Sequence, residues 1–139
     1  MDQLEKNNMV VKNLGINDVE NAKRIYKESF KKDSVRFNNH FLNIFGVYKN
    51  GLLGLCQIDY IDNCFEHERI AFINSICVDS KYRNMGVATY LLTEIEKIAR
   101  ENGCNSLMLT SSSKRKIANH LYEKLGFVVY NTNVFKKKI

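Results

Sequence analysis

Apolar positions change their spacing several times along the 139-residue chain, and each change marks an element. Residues 9–14, MVVKNL, read as a first strand. Val19, Ala22, Ile25, Tyr26 and Phe30 then recur at helical spacing, with Asn17 as the expected N-cap and Glu20 as its capping-box partner. A second, shorter helix is expected over 34–44. In residues 45–61, Asn50-Gly51 separates two apolar runs, which predicts a hairpin with a two-residue turn because both residues tolerate positive φ. Residues 62–68 are polar and read as a loop. Residues 70–78, IAFINSICV, are almost continuously apolar, as a strand covered on both faces must be.

The second half is more regular. A turn, DSKYRNM, leads into a long helix with an inner stripe of Val87, Leu91, Leu92, Ile95, Ile98 and Ala99. Glu94, Glu96, Lys97, Arg100 and Glu101 face outward, and Asn102-Gly103 ends the helix. Residues 106–110, SLMLT, predict another strand. Ser112 or Ser113 is the expected cap of a last helix with the stripe Ile117, Ala118, Leu121, Tyr122 and Leu125, closed by Gly126. One or two final strands are expected over 128–138, broken near Asn131. The order β-α-α-β-β-β-α-β-α-β predicts an α/β chain with a mixed sheet and helices on its faces.

Composition narrows the class. The length fits one domain over 1–139. Apolar residues at 45% are enough for a folded core, which excludes a disordered tail protein. No apolar run approaches the roughly 18 residues that cross a bilayer, and Met1 to Asn8 is too polar for a secretory signal. A cytoplasmic protein without membrane partners is expected. Cys56, Cys64, Cys77 and Cys104 form no C-x-x-C pair, so neither zinc nor any other metal is expected. Lys and Arg number 21 against 15 acids, a net +6 that favours polyanionic partners. A small nucleic-acid-binding domain is one reading of that charge. The chain lacks zinc-ligand spacing, a helix-turn-helix cue and an RNA-binding aromatic motif, which disfavours it.

The chemistry concentrates in Ile76 to Ala88, ICVDSKYRNMGVA, where a buried strand turns sharply into a long helix. The first amides of a helix lack intrahelical partners and the dipole is positive there, which makes an anion site. Gly86 admits close approach to the backbone, Ala88 is small, and Arg83 adds a positive charge. A helix start whose Gly and Ala merely allow close packing would look the same. A second motif lies about 40 residues on: Ala118 to Phe127, ANHLYEKLGF.

Together these segments resemble the Gcn5-related N-acetyltransferase (GNAT) superfamily. Its R/Q-x-x-G-x-G/A motif reads here as Arg83, Gly86 and Ala88, and its A-x-x-x-Y-E-K-L-G-F motif as Ala118 and Tyr122 to Phe127. Asn84 stands where many members have Gly, and Ser80 replaces a common proline. The resemblance implies a mixed, mostly antiparallel sheet of six to seven strands flanked by about four helices. It implies acetyl-coenzyme A as co-substrate and an amine-bearing small molecule or peptide as acceptor. The pyrophosphate would lie on Arg83, Asn84, Met85, Gly86, Val87 and Ala88. The pantetheine arm would pair with Ile76, Cys77 and Val78, and Asn119 would touch its pantetheine or ribose side.

Tyr122 is the general acid this resemblance implies for the leaving thiolate, since a neutral phenol can donate at pH 7. Some members carry a carboxylate base on the central strand, but Ile70 to Val78 holds no acid. Glu68, His67 and Asp59, or a water, are the candidates left. Without that carboxylate, a catalytically silent acyl-coenzyme A sensor is a second reading. A homodimer through an exposed final strand is a further expectation.

Overall fold

The computed structural model describes residues 8–35 and 43–139. Among them, strands β1 (Val10–Asn13), β2 (Ile44–Tyr48), β3 (Leu52–Asn63), β4 (Glu68–Val78) and β5 (Ser106–Leu109) form one sheet in the order β1-β2-β3-β4-β5. All neighbours are antiparallel except β4 and β5. Helices α1 (Val19–Phe30), α2 (Val87–Glu101) and α3 (Lys116–Lys124) complete the fold, with 3₁₀ turns at Ile16–Asp18 and Ser80–Tyr82.

The apolar stripes decide which sheet face each helix covers. Val87, Leu91, Leu92, Ile95 and Ala99 of α2 are buried with Val47, Leu53, Cys56, Ile58, Ala71 and Ile73. Each Leu or Ile so covered contributes roughly 1.5–3 kcal/mol. Ala22 and Ile25 of α1 pack with Leu14, Ile44, Leu52, Leu55 and Cys77 on the other face. Side chains alternate along a strand, so neighbours such as Leu52 and Leu53 serve the two layers separately.

Several local expectations change. The hairpin at Asn50-Gly51 is present, but Tyr48 pairs with Leu52, so the connection has three residues, with Asn50 at φ 56° and Gly51 at φ 130°. Strand β4 starts two residues earlier than its apolar run, because Glu68 and Arg69 keep pairing with Asn63 and Asp62. The cap of α1 is Asp18, not Asn17. Its carboxylate makes no cap bond and instead accepts from the Tyr48 hydroxyl at 2.8 Å. Arg115, not a serine, precedes α3. Ser112 serves the turn before it, accepting from the amide of Lys114 through Oγ and from that of Arg115 through its carbonyl. Ile117 is exposed rather than part of the α3 stripe. The short helix expected over 34–44 lies mostly outside the described residues, and Ile44 already belongs to β2.

The strand and helix counts are lower than expected. Among the described residues the sheet has five strands rather than six or seven, with three α-helices rather than about four. The segment 128–138 forms no strand, because its backbone meets no ladder partner within the described chain.

Candidate active site where the fourth and fifth strands part

Strands β4 and β5 pair from Ile70 with Ser106 to Ile73 with Leu109 and then separate. The cause lies in β4. Between Leu55 and Gln57 on β3 the pairing on β4 advances from Cys77 to Asn74, so β4 carries one extra residue. Ser75 takes up that residue at φ 57°. A bulge of this kind bends the strand and increases its twist. Beyond it, Ile76, Cys77 and Val78 keep their β3 side, while the β5 ladder has ended at Ile73. Gly54 makes the tight β3 contact possible, since a Cβ there would sit 2.9 Å from the Cys77 carbonyl oxygen.

The turn after β4 is fixed by Asp79, which is buried and the one buried charged residue of the described core. Its carboxylate accepts from the Lys81 amide at 3.1 Å and from Arg24 Nη2 at 2.8 Å, and its own amide donates to the Leu53 carbonyl. Arg24, on α1, is also held by Asn21 and Glu28. Burial alone would raise the Asp79 carboxyl, but the Arg24 hydrogen bond and the Lys81 amide outweigh it and hold it below the usual range. Sequence reasoning missed this residue, because a lone Asp after a strand gives no sign of an arginine 55 positions earlier.

Removing that carboxylate is expected to cost about 1.5–3 kcal/mol, the range for hydrogen bonds to charged groups. A carboxyl depressed in the fold stabilises fully above its unfolded value, ordinarily 3.8, and loses that contribution as pH falls through the lower folded value. Urea unfolding of wild type and Asp79→Ala should therefore diverge by a constant amount above about pH 5 and converge at lower pH. A difference unchanged down to about pH 2 would refute the pairing.

Asn84 and Gly86 both take left-handed angles, φ 62° and 83°, so the turn survives asparagine in place of glycine. Gly86 is the N-cap of α2 and supplies no side-chain cap, and the first backbone bond back to it comes from Tyr90. The amides of Val87, Ala88 and Thr89 are therefore donors without intrahelical partners. A Cβ on Gly86 would meet nothing within 4 Å, so the space before these amides is open. Arg83 reaches Ser29 Oγ at 3.5 Å, and Arg115 lies over the Phe30 ring at 5.6 Å. The end of α1, the turn and the start of α3 thus gather two guanidinium groups around the end of β4.

Ile76 and Cys77 are buried on opposite sheet faces, and Val78 is half-buried. Burial pushes the Cys77 thiol up to about 12, against smaller lowering by Ser29, Arg115 and Arg83. Tyr122 is buried, with its ring edge-on to Phe127 at 6.0 Å. Burial raises its hydroxyl pKa and Arg115 partly offsets that. Asn119 spends its amide donor on the Ser112 carbonyl at 2.9 Å. Ser111, in the loop leaving β5, buries an Oγ that has no partner among the described residues. The run of three serines gave no means of singling it out.

Asp59 collects three amide donors: Asn43 at 3.1 Å, Gln57 at 2.9 Å and Asn74 at 3.3 Å. It pairs across the sheet with Phe72, just before the bulge. His67 and Glu68 stand at the opposite end of β4, about nine residues or roughly 30 Å from Cys77 at strand spacing. That distance takes them out of reach of the turn. No group of three His, Cys, Asp or Glu suited to a metal ion occurs among the described residues, and no helix there is long and apolar enough to cross a membrane.

The family model described as the acetyltransferase (GNAT) family matches residues 14–127, most of the chain. The chain belongs to the GNAT family. N-alpha-acetyltransferase 30 of Xenopus laevis is 35% identical over 74 residues, covering 53% of this chain and 26% of that protein. Aminoglycoside N(6')-acetyltransferase type 1 of Serratia marcescens is 28% identical over 82 residues, covering 59% and 56%. This GNAT chain thus spans between about a quarter and a little over half of such curated relatives. A solved aminoglycoside acetyltransferase from an uncultured soil metagenomic sample superposes with a TM-score of 0.78 at 15% identity, covering 96% of this chain and 97% of that one. A solved transcriptional regulator from Bacillus halodurans C-125 gives 0.78 at 18% identity, covering 94% and 99%. At such identities the superpositions establish a shared GNAT fold.

Proposed function

We propose that residues 1–139 act as one cytoplasmic N-acetyltransferase domain that moves an acetyl group from acetyl-coenzyme A to an amine by direct attack in a ternary complex. The observation that carries this reading is the turn Arg83–Gly86. Two left-handed residues there open into an uncapped helix start, with open space where a side chain would otherwise stand. That arrangement suits a pyrophosphate, and Arg83 and Arg115 supply countercharge. The pantetheine arm would lie against Ile76, Cys77 and Val78 beyond the bulge. Its amides offer the buried Ser111 hydroxyl the partner it lacks. Four unpaired cysteines suit a reducing compartment.

In this reading the amine nitrogen attacks the thioester carbonyl carbon, and a β4 backbone amide donates to the oxygen as charge develops. The C–S bond then breaks, sulfur takes the electron pair, and the Tyr122 hydroxyl gives it a proton; the second proton shed by the new amide nitrogen restores the phenol through water. Asp59, directly or through water, accepts the proton of the incoming ammonium, and its three amide neighbours hold the carboxylate ready. A buried thiol titrating near 12 does not make a nucleophile at neutral pH, which favours direct attack over an acyl-Cys77 intermediate. The names of the relatives point to amines of two kinds, protein N-termini and aminoglycosides. For this chain we propose an amine-bearing small molecule or peptide.

The lack of an acid on β4 from Ile70 to Val78 favours one alternative, a silent acyl-coenzyme A sensor. Calorimetry with acetyl-coenzyme A, followed by thiol release over a panel of amines and N-terminal peptides, separates the readings. Binding with amine-dependent release is expected. Binding without release would establish the sensor, and no binding would refute both.

A further inference from the structure

Alternation along β3 and β4 sorts their side chains between the two sheet faces. Cys56, Ile58, Ala71 and Ile73 are buried with α2, so Gln57, Asp59, Ile61, Ile70, Phe72 and Asn74 stand on the face that carries α1. Helix α1 reaches only the near end of that face, where its buried partners on β3 and β4 are Leu52, Leu55 and Cys77. Beyond the bulge, three cross-strand pairs follow in order: Gln57 with Asn74, Asp59 with Phe72, and Ile61 with Ile70. Met108 widens the same surface, since it is the β5 partner of Phe72. Its character changes sharply at Asp59. On the near side Gln57 and Asn74 donate to the carboxylate. On the far side the surface is apolar: Phe72 and Ile70 are half-buried, and Ile61 and Met108 are 42% and 41% exposed. The next acid that β4 places on this face is Glu68, at the hairpin end.

Resting on the acetyltransferase reading, we propose that the acceptor is the α-amine of a peptide whose first residue carries a large apolar side chain, such as methionine, leucine or phenylalanine. Its ammonium meets Asp59 and its side chain lies on Phe72, Ile70 and Ile61. The dimensions agree. Side chains directly opposite across antiparallel strands stand about 4.5–5.5 Å apart at Cβ. An amine held by Asp59 therefore brings its own Cα beside the Phe72 ring. The Ile61–Ile70 pair follows two residues on, roughly 6.6 Å away, within reach of a side chain branching from that Cα. The charge agrees as well, because one ammonium meets one carboxylate. An aminoglycoside would set further ammonium and hydroxyl groups against Phe72 and Ile70, which offer them no acceptor. Glu68 does not serve them, since it lies four residues, roughly 13 Å, from Phe72 along the strand.

Thiol release from acetyl-coenzyme A by the wild type should be measured with peptides that differ only in their first residue. Methionine, leucine and phenylalanine should give kcat/KM at least about tenfold above serine and aspartate, the scale of burying such a side chain. An Nα-blocked lysine peptide and kanamycin should fall with the poor acceptors. In Phe72→Ser the ratio of leucine to serine should drop below about threefold, with the Kd for acetyl-coenzyme A unchanged. The wild-type series decides even if that variant fails to fold. Equal rates across first residues, faster release with kanamycin or blocked lysine, or a wild-type ratio in folded Phe72→Ser overturns the proposal and leaves acetyl transfer standing. Absence of release with every acceptor overturns the transferase reading itself and this inference with it.

Discussion

Replacing Gly86 with glutamate is expected to abolish binding of acetyl-coenzyme A, weakening it at least about 100-fold by calorimetry, a loss of roughly 2.7 kcal/mol or more. The fold should survive. A Cβ at this position meets nothing within 4 Å, so the new side chain displaces no protein atom. The left-handed φ of 83° costs a non-glycine residue about 1–2 kcal/mol, a loss that thermal melting would register as a modest shift. The carboxylate then projects into the space in front of the α2 amides, where it competes for those donors and repels the pyrophosphate. Gly86→Ala isolates the strain, because it adds the Cβ without the charge, and should weaken binding far less. Wild-type affinity in folded Gly86→Glu would remove the phosphate from this turn.

The second large effect concerns the proton that Tyr122 is proposed to give to the leaving sulfur. Tyr122→Phe is expected to lower kcat by about 10²–10⁴, the usual range for losing a general acid, while the Kd for acetyl-coenzyme A changes by less than about threefold. Phenylalanine keeps the edge-on packing against Phe127. Loss of fold is therefore not a competing cause, and equal melting temperatures would confirm this. Burial raises the hydroxyl pKa above its ordinary 10.0, so the donor stays protonated through the working range and any alkaline limb due to Tyr122 lies above that value. Equal losses in affinity and turnover would assign Tyr122 to the pocket wall instead.

Much of this architecture could be read in the residues. The stripes of α1 and α2 matched their buried faces because each helix covers one side of one sheet, the condition under which helical spacing is informative. The turn before α2 and the Ala118–Phe127 motif carried the family resemblance, and the GNAT family model spans both. What could not be read was set by pairing. Ser75 is left-handed because β4 must accommodate one residue more than β3, and serine does not announce that. Asp18 gives up its cap to Tyr48, and Asp79 is held by Arg24, both partnerships between distant parts of the sequence. The expected final strands failed for a related reason: alternation predicts a strand but does not name its neighbour.

The glycine at 54 has a consequence for altering what the chain accepts. Any side chain there would push into the main chain of β4 beside the proposed acetyl-transfer point, since the obstructing atom is a carbonyl oxygen rather than a flexible tip. Gln57 and Asn74 pair across β3 and β4, and each donates from its side chain to Asp59, so both side chains can be exchanged without touching the main chain. A randomised library selected for new amines should therefore return glycine at 54 nearly unchanged and diversity at 57 and 74. For the proposed acetyltransferase, acceptor choice would then be adjustable on the outer half of the strand and closed on the inner half.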